Sequence, residues 1–188
     1  PTIQDAVHQA LVGGIRVADV LRTVEAVAAT GAPTLVMTYW NPVDRYGVDA
    51  FARDLRSAGG AGLITPDLTP EEAGPWLEAA EAHDLDRVFL VALSSTDERI
   101  ELITRACRGF VYAASLMGVT GARSAVDTGA PRLVRRTREI LARDGSRLPV
   151  GLGLGVSNGA QAAEVATFAD GVIVGSAFVR RILDAPDL

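Results

Sequence analysis

The chain has 188 residues, 48% of them hydrophobic and 22% charged, with a formal net charge of −5. This composition can bury a sizeable core and is not that of a disordered segment; with no long basic run it carries no electrostatic footprint for nucleic acid or anionic lipid. All 18 basic side chains are arginine, so a Schiff-base aldolase or a covalently held pyridoxal phosphate, each of which needs a lysine amine, is excluded from these residues.

Only His8, His83 and Cys107 are available as nitrogen or sulfur ligands, too few for an ordinary zinc site. A single cysteine forms no internal disulfide and suits a reducing compartment. No apolar run approaches the ~18–20 residues of a membrane span, and no charged-then-apolar leader precedes the first helix. These features predict a soluble, cytoplasmic protein.

The chain opens on a helical pattern over Pro1–Leu11, and a second helix places Val20, Leu21, Val24, Val27 and Ala28 on one face. Short apolar or β-branched runs then recur at Pro33–Thr38, Ala61–Thr65, Val88–Ala92, Gly109–Ala113, Pro149–Gly153 and Gly171–Val174. Each reads as a strand buried on both faces. Cys107 follows Ile103 and Ala106 on a helical pattern, as a buried structural thiol would. The stretch from Ala114 to about Thr128 carries Gly118-Val119-Thr120-Gly121 with little periodicity, and a loop of that length after a strand predicts a lid. Beyond it, Leu133, Val134, Thr137, Ile140 and Leu141 form the apolar face of a helix. Arg132, Arg135, Arg136, Arg138 and Arg143 lie opposite, as a solvated outer face. A final helix runs to about Leu183, where Asp184-Ala185-Pro186 breaks it.

Strand–helix alternation implies parallel strands joined by right-handed crossovers. The fold class is therefore α/β, and the six visible strand–helix units fit a (β/α)8 barrel or a six-stranded doubly wound sheet. Two late glycine turns favour the barrel. Gly151-Leu152-Gly153-Leu154-Gly155-Val156-Ser157 and Val172-Ile173-Val174-Gly175-Ser176-Ala177 each lead from a strand toward a helix. Glycine admits an anion close to the backbone, and the free N–H groups and positive dipole end of a following helix bind it. In a barrel such a phosphate cradle belongs to the loops after strands seven and eight. Counting back from them, residues 1–188 form a single partial barrel domain lacking the first two strands and the last helix.

Several segments, in order along the chain, resemble one family. Pro1-Thr2-Ile3-Gln4, Met37-Thr38-Tyr39-Trp40-Asn41-Pro42, Pro66-Asp67-Leu68 with Glu71-Glu72, Tyr112 through Ser115-Leu116-Met117-Gly118-Val119-Thr120-Gly121, and Gly175-Ser176-Ala177 are similar to the alpha chain of tryptophan synthase. The resemblance covers essentially the whole chain. It implies a (β/α)8 barrel that cleaves indole-3-glycerol phosphate to indole and glyceraldehyde 3-phosphate without metal or cofactor. It also implies a β chain as partner, holding the pyridoxal phosphate and receiving indole through a tunnel in an α2β2 complex.

By the same resemblance Gly121, Gly155, Gly175 and Ser176 hold the phosphate, and Tyr39, Ile64, Tyr112 and Leu154 line the indole pocket. Asn41, Pro42, Asp67, Pro70 and Glu71 face the β chain. The family's catalytic glutamate and aspartate both precede the segment matching Pro1-Thr2-Ile3-Gln4, so no catalytic residue is assigned here. Phe110-Val111-Tyr112 stands where two nearby tyrosines are frequent, Leu154 where phenylalanine is common, and Leu116 where some members carry arginine. These changes bear on ring packing and lid anchoring and leave the phosphate site intact.

Two other readings remain at this stage. Another phosphate-binding barrel, such as an epimerase, would want histidines at strand ends, and a histidine-pathway isomerase would want an aspartate where Ala92-Leu93-Ser94 stands. A non-catalytic module binding phosphate or a β chain must fold without the two strands, leaving roughly 15–30 kcal/mol of apolar burial unmade against a native stability of ~5–15 kcal/mol. That disparity predicts a longer parent polypeptide. The resemblance also gives Thr120 a role, closing over substrate and orienting the catalytic aspartate. Thr120→Val in the intact protein is expected to lower indole release and weaken activation by the β chain; unchanged kinetics in both assays would remove Thr120 from the mechanism.

Overall fold

The computed structural model describes residues 2–115, 129–153 and 155–185. Two compact units are present, described separately: Ile15–Leu90 with Leu102–Phe110, and Pro1–Gly14 with Val91–Glu101 and Val111–Leu188.

The first unit opens with α2 (Val17–Ala28), following α1 (Thr2–Val12) of the second. Asp19, in the first turn of α2, accepts the Arg16 amide at 2.7 Å and so closes the helix start. Leu21 and Val24 are buried, but Val27, expected on the same face, is 42% exposed. The inward face runs through Leu21, Val24 and the half-buried Ala28, and Val27 falls outside it.

Three strands follow, β1 (Leu35–Met37), β2 (Gly62–Ile64) and β3 (Asp86–Val88), paired in parallel in that order. The connections are helical: α3 (Trp40–Tyr46) and α4 (Val48–Ser57) after β1, and α5 (Gly74–Ala82) after β2. Gly47, at φ 95°, makes the sharp corner between α3 and α4, a conformation that a side chain would resist. Phe51, Leu55, Leu63, Trp76, Leu85 and Val88 are fully buried and build the core.

The run read as one strand over Val88–Ala92 is two. β3 ends at Val88, and β4 (Leu90–Ala92) belongs to the other sheet. Between them the Phe89 amide donates to Cys107 Sγ at 3.5 Å, so the ladder gives way to a thiol at this residue. Cys107 stands just past α6 (Asp97–Ala106), buried as expected. Burial pushes its thiol pKa up to about 11, so it stays protonated and inert.

The second sheet has the order β4, β5 (Val111–Ala114), β6 (Val150–Gly153) and β7 (Gly171–Val172). β5 pairs with β6, and β6 with β7, in parallel. α7 (Gly129–Arg143) packs Leu133, Val134, Thr137, Ile140 and Leu141 inward as expected, and α8 (Gly159–Val165) and α9 (Ser176–Leu183) follow β6 and β7. The arginines of α7 are not a purely solvated face. Arg136 Nη2 reaches Ser95 O at 2.9 Å and Asp97 Oδ1 at 2.6 Å, and Arg138 binds Phe168 O at 2.6 Å and Asp170 Oδ1 at 2.7 Å. On α1, Ile3, Val7 and Leu11 repeat at helical spacing on an exposed stripe, as do Phe178 and Ile182 on α9.

Asp170 ties this unit together. Its Oδ2 accepts the Val150 amide at 2.9 Å while its own amide donates to Val150 O at 3.0 Å, joining the starts of β6 and β7. The Val150 amide and the Arg138 guanidinium together hold the Asp170 carboxyl below its usual pKa. A carboxyl depressed in the fold stabilises above the ordinary carboxylate range, and that contribution is lost as pH falls through the depressed value. Because the side chain is 42% exposed, Asp170→Ala is expected to cost only about 1–2 kcal/mol near neutrality. Urea unfolding of both proteins from pH 7 down to pH 3 checks this: the gap between them should close on acidification.

Candidate functional site

Apart from Tyr112, within β5, the described site residues of each unit lie at or just past the C-terminal ends of parallel strands, the end from which loops of this architecture build ligand sites. In the first unit Met37 and Ile64 are register partners, and the Thr38 amide continues the ladder to Ile64 O at 3.2 Å. Ile64 is half-buried, whereas Tyr39, two residues past the strand, is 69% exposed. Asn41 and Pro42 occupy the first turn of α3, and Asp67, Pro70 and Glu71 lie on the loop after β2. These residues share one end of the β1–β2 pair, with both Asp67 carboxylate oxygens accepting the Trp40 amide at 3.0 and 3.1 Å.

In the second unit the register Tyr112↔Gly151 and Ala114↔Gly153 puts Tyr112 and Gly153 on one face of the sheet. Tyr112 is 3% exposed, and a Cβ built on Gly153 would lie 2.6 Å from its Cζ atom. Gly153 is therefore glycine so that the Tyr112 ring can cross the neighbouring strand. Burial raises the Tyr112 phenol above its ordinary pKa, keeping the group neutral. Spacing alone did not single out Gly153 within its glycine run; the parallel register does.

The two glycine turns are neighbours because β6 pairs with β7, as Gly151↔Gly171 and Leu152↔Val172, with the Ile173 amide on Leu152 O at 2.8 Å. Gly155 takes φ 106°, open to L residues only with strain. Gly175 precedes the first residue of α9, Ser176, and all three are exposed. Phe178 and Val179 donate back to Gly175 O, leaving the Ser176 and Ala177 amides of the first turn as free donors among the described residues. The N-terminus of α8 differs, since Asn158 Oδ1 already caps it through the Gln161 amide at 2.9 Å. The anion-ready end is thus that of α9. Thr120, Gly121 and Leu154, together with the expected lid, lie outside the described residues.

Two buried hydroxyls were not anticipated from sequence. Thr65 Oγ1 and Ser115 Oγ, each one residue past the end of its strand, have no hydrogen-bond partner among the described residues. Strand alternation sets Thr65 opposite Ile64, and Ser115 opposite Tyr112 and Ala114, on the faces turned from the expected ligand. Among the described residues no helix is long and apolar enough to cross a membrane.

Parallel strands alternating with helices, and open glycine turns ending adjacent strands, define an α/β protein of the (β/α)8 type, with six strand–helix units among the described residues. The sequence profile of the family described as tryptophan synthase alpha chain matches residues 1–187. The alpha chain of Thermobifida fusca is 63% identical over the whole of this chain and 69% of its own length, and that of Salinispora arenicola 64% identical over 68% of its own length. Among solved structures, tryptophan synthase of Mycobacterium tuberculosis is similar at TM-score 0.88 and 59% identity, covering 98% of this chain and 69% of that one. A structure described as the α2β2 complex from Pyrococcus furiosus is similar at TM-score 0.87 and 34% identity, covering 98% and 73%. The chain belongs to the tryptophan synthase alpha chain family.

The contact between Tyr112 and Gly153 gives a direct test. Gly153→Ala is expected to destabilise the protein by about 1–3 kcal/mol through overpacking. In a double-mutant cycle read by denaturant unfolding, combination with Tyr112→Ala should cost less than the sum of the single changes.

Proposed function

We propose that the chain is the alpha subunit of a tryptophan synthase and acts as a lyase, supplying the binding half of the site that cleaves indole-3-glycerol phosphate to indole and glyceraldehyde 3-phosphate. The observation that carries this reading is the pair of exposed glycine turns on adjacent strands, one of them opening α9 at Ser176. The phosphate docks there on the first-turn amides of α9 and the Ser176 hydroxyl, with Gly155 and Gly175 admitting its oxygens close to the backbone. Gly121 joins them on the sequence resemblance.

On the sequence resemblance, Tyr39, Ile64, Tyr112 and Leu154 offer apolar faces to the bicyclic ring. The retro-aldol step needs proton transfer at the glycerol hydroxyl and at an indole carbon, a task for carboxylates worth ~10²–10⁴-fold. No residue among 1–188 is assigned that task, and the chain is assigned no cofactor of its own. Indole passes to a β chain carrying pyridoxal phosphate, which docks on the loops of Asn41, Pro42, Asp67, Pro70 and Glu71. The complex is assigned to the cytoplasm, and residues 1–188 to one partial barrel domain.

Indole release from indole-3-glycerol phosphate in the presence of β chain tests the reading. Ser176→Ala is expected to raise KM roughly ten- to hundredfold through one lost hydrogen bond to a charged ligand, with kcat nearly unchanged. A variant with wild-type KM would remove Ser176 from the phosphate site.

A further inference from the structure

The helix after β1 is capped by the loop after β2. α3 begins at Trp40, and its N-cap residue is Tyr39, at φ −66° and ψ 158°, whose side chain makes no capping hydrogen bond. Tyrosine is the wrong residue for the position, since a cap needs a short side-chain acceptor. Asp67, 27 residues further along, supplies it: both carboxylate oxygens accept the Trp40 amide, at 3.0 and 3.1 Å. Its negative charge also faces the positive end of the helix dipole.

What this carboxylate fixes is functionally mixed. Tyr39, immediately before the capped amide, is the proposed ring wall, while Asn41 and Pro42, immediately after it, belong to the proposed partner surface. Tyr39, Asn41 and Asp67 are all exposed, while Trp40 and Pro42 between them are half-buried, so packing holds the turn only in part. We propose that Asp67 is a positioning residue that locks the β1 and β2 loops into one surface by capping α3, and so sets Tyr39 toward substrate and Asn41 toward the β chain together. In this role it moves no proton and need not form an ion pair with the partner. The functional half of the proposal rests on the reading given under Proposed function.

The test compares Asp67→Ala with Asp67→Asn, which keeps a side-chain oxygen acceptor but no charge, in the full polypeptide. Amide hydrogen exchange at Trp40 is read by NMR without partner, and β-chain affinity and indole release are read with it. Asp67→Ala is expected to speed Trp40 exchange and to weaken both β-chain affinity and indole release by about three- to tenfold, the weight of one exposed helix-capping hydrogen bond, with Asp67→Asn recovering most of each. Trp40 exchange unchanged in both variants would overturn the cap. So would an Asn variant as damaged as Ala whose loss in β-chain affinity fades in high salt, the behaviour of a direct ion pair. If wild-type protein neither binds the β chain nor releases indole while Trp40 exchange still answers to Asp67, the functional half falls and the intramolecular cap stands.

Discussion

Parallel strand pairing is the constraint on which the rest of the molecule depends. Because side chains alternate and neighbouring parallel strands share one polarity, pairing Val111 with Val150 decides at once that Tyr112 and Gly153 share a face, that Ser115 turns away from it, and that the loops after β5 and β6 leave from the same end. Pairing β6 with β7 then sets the Gly155 and Gly175 turns side by side. A one-residue slip would exchange the two faces and place Tyr112 among the helices. The ligand end of the second unit is thus largely a product of backbone register, and side chains refine it.

Residue types follow from that register. Glycine is required at 153 by the crossing Tyr112 ring and at 155 by a positive φ. At 175 no atom of the described residues lies within 4 Å of a built Cβ and φ is negative, so their sterics do not demand glycine there. Its value is open space beside the α9 amides, where a phosphate oxygen would meet a side chain. Three glycines of similar appearance in sequence therefore serve three physical purposes.

The strands and the main helices were legible because both periodicities are strong: buried runs of four to six residues for parallel strands, and an apolar stripe on α7 whose five expected positions are all buried. What was not legible depended on partners distant in sequence. Val88–Ala92 reads as one strand, and it divides because the Phe89 amide meets Cys107 Sγ, 18 residues away. The arginines of α7 read as solvated, yet Arg136 and Arg138 find Asp97 and Asp170 some 30 to 40 residues off. α3 is not visible in the sequence, since Tyr39 is no capping residue and its cap comes from Asp67. The family motifs marked which loops matter without indicating which side chains hold them in place.

Asp67 and Asp170 make the same chemical device do different work. Each is a partly or fully exposed carboxylate accepting one backbone amide of a distant segment, Trp40 in one case and Val150 in the other. Asp170 sits where β6 and β7 begin, the N-terminal end of the strands, where this architecture places stability. There it has a second partner in Arg138 and a reciprocal backbone bond to Val150, so three contacts share the task of joining the strand starts. Asp67 sits past the C-terminal end of β2, where the architecture places function, and among the described residues it alone caps the exposed turn of Tyr39 and Asn41. Redundant anchoring suits an end that must only hold. At the end proposed to meet ligand and partner, a single anchor makes the position of two loops depend on one carboxylate.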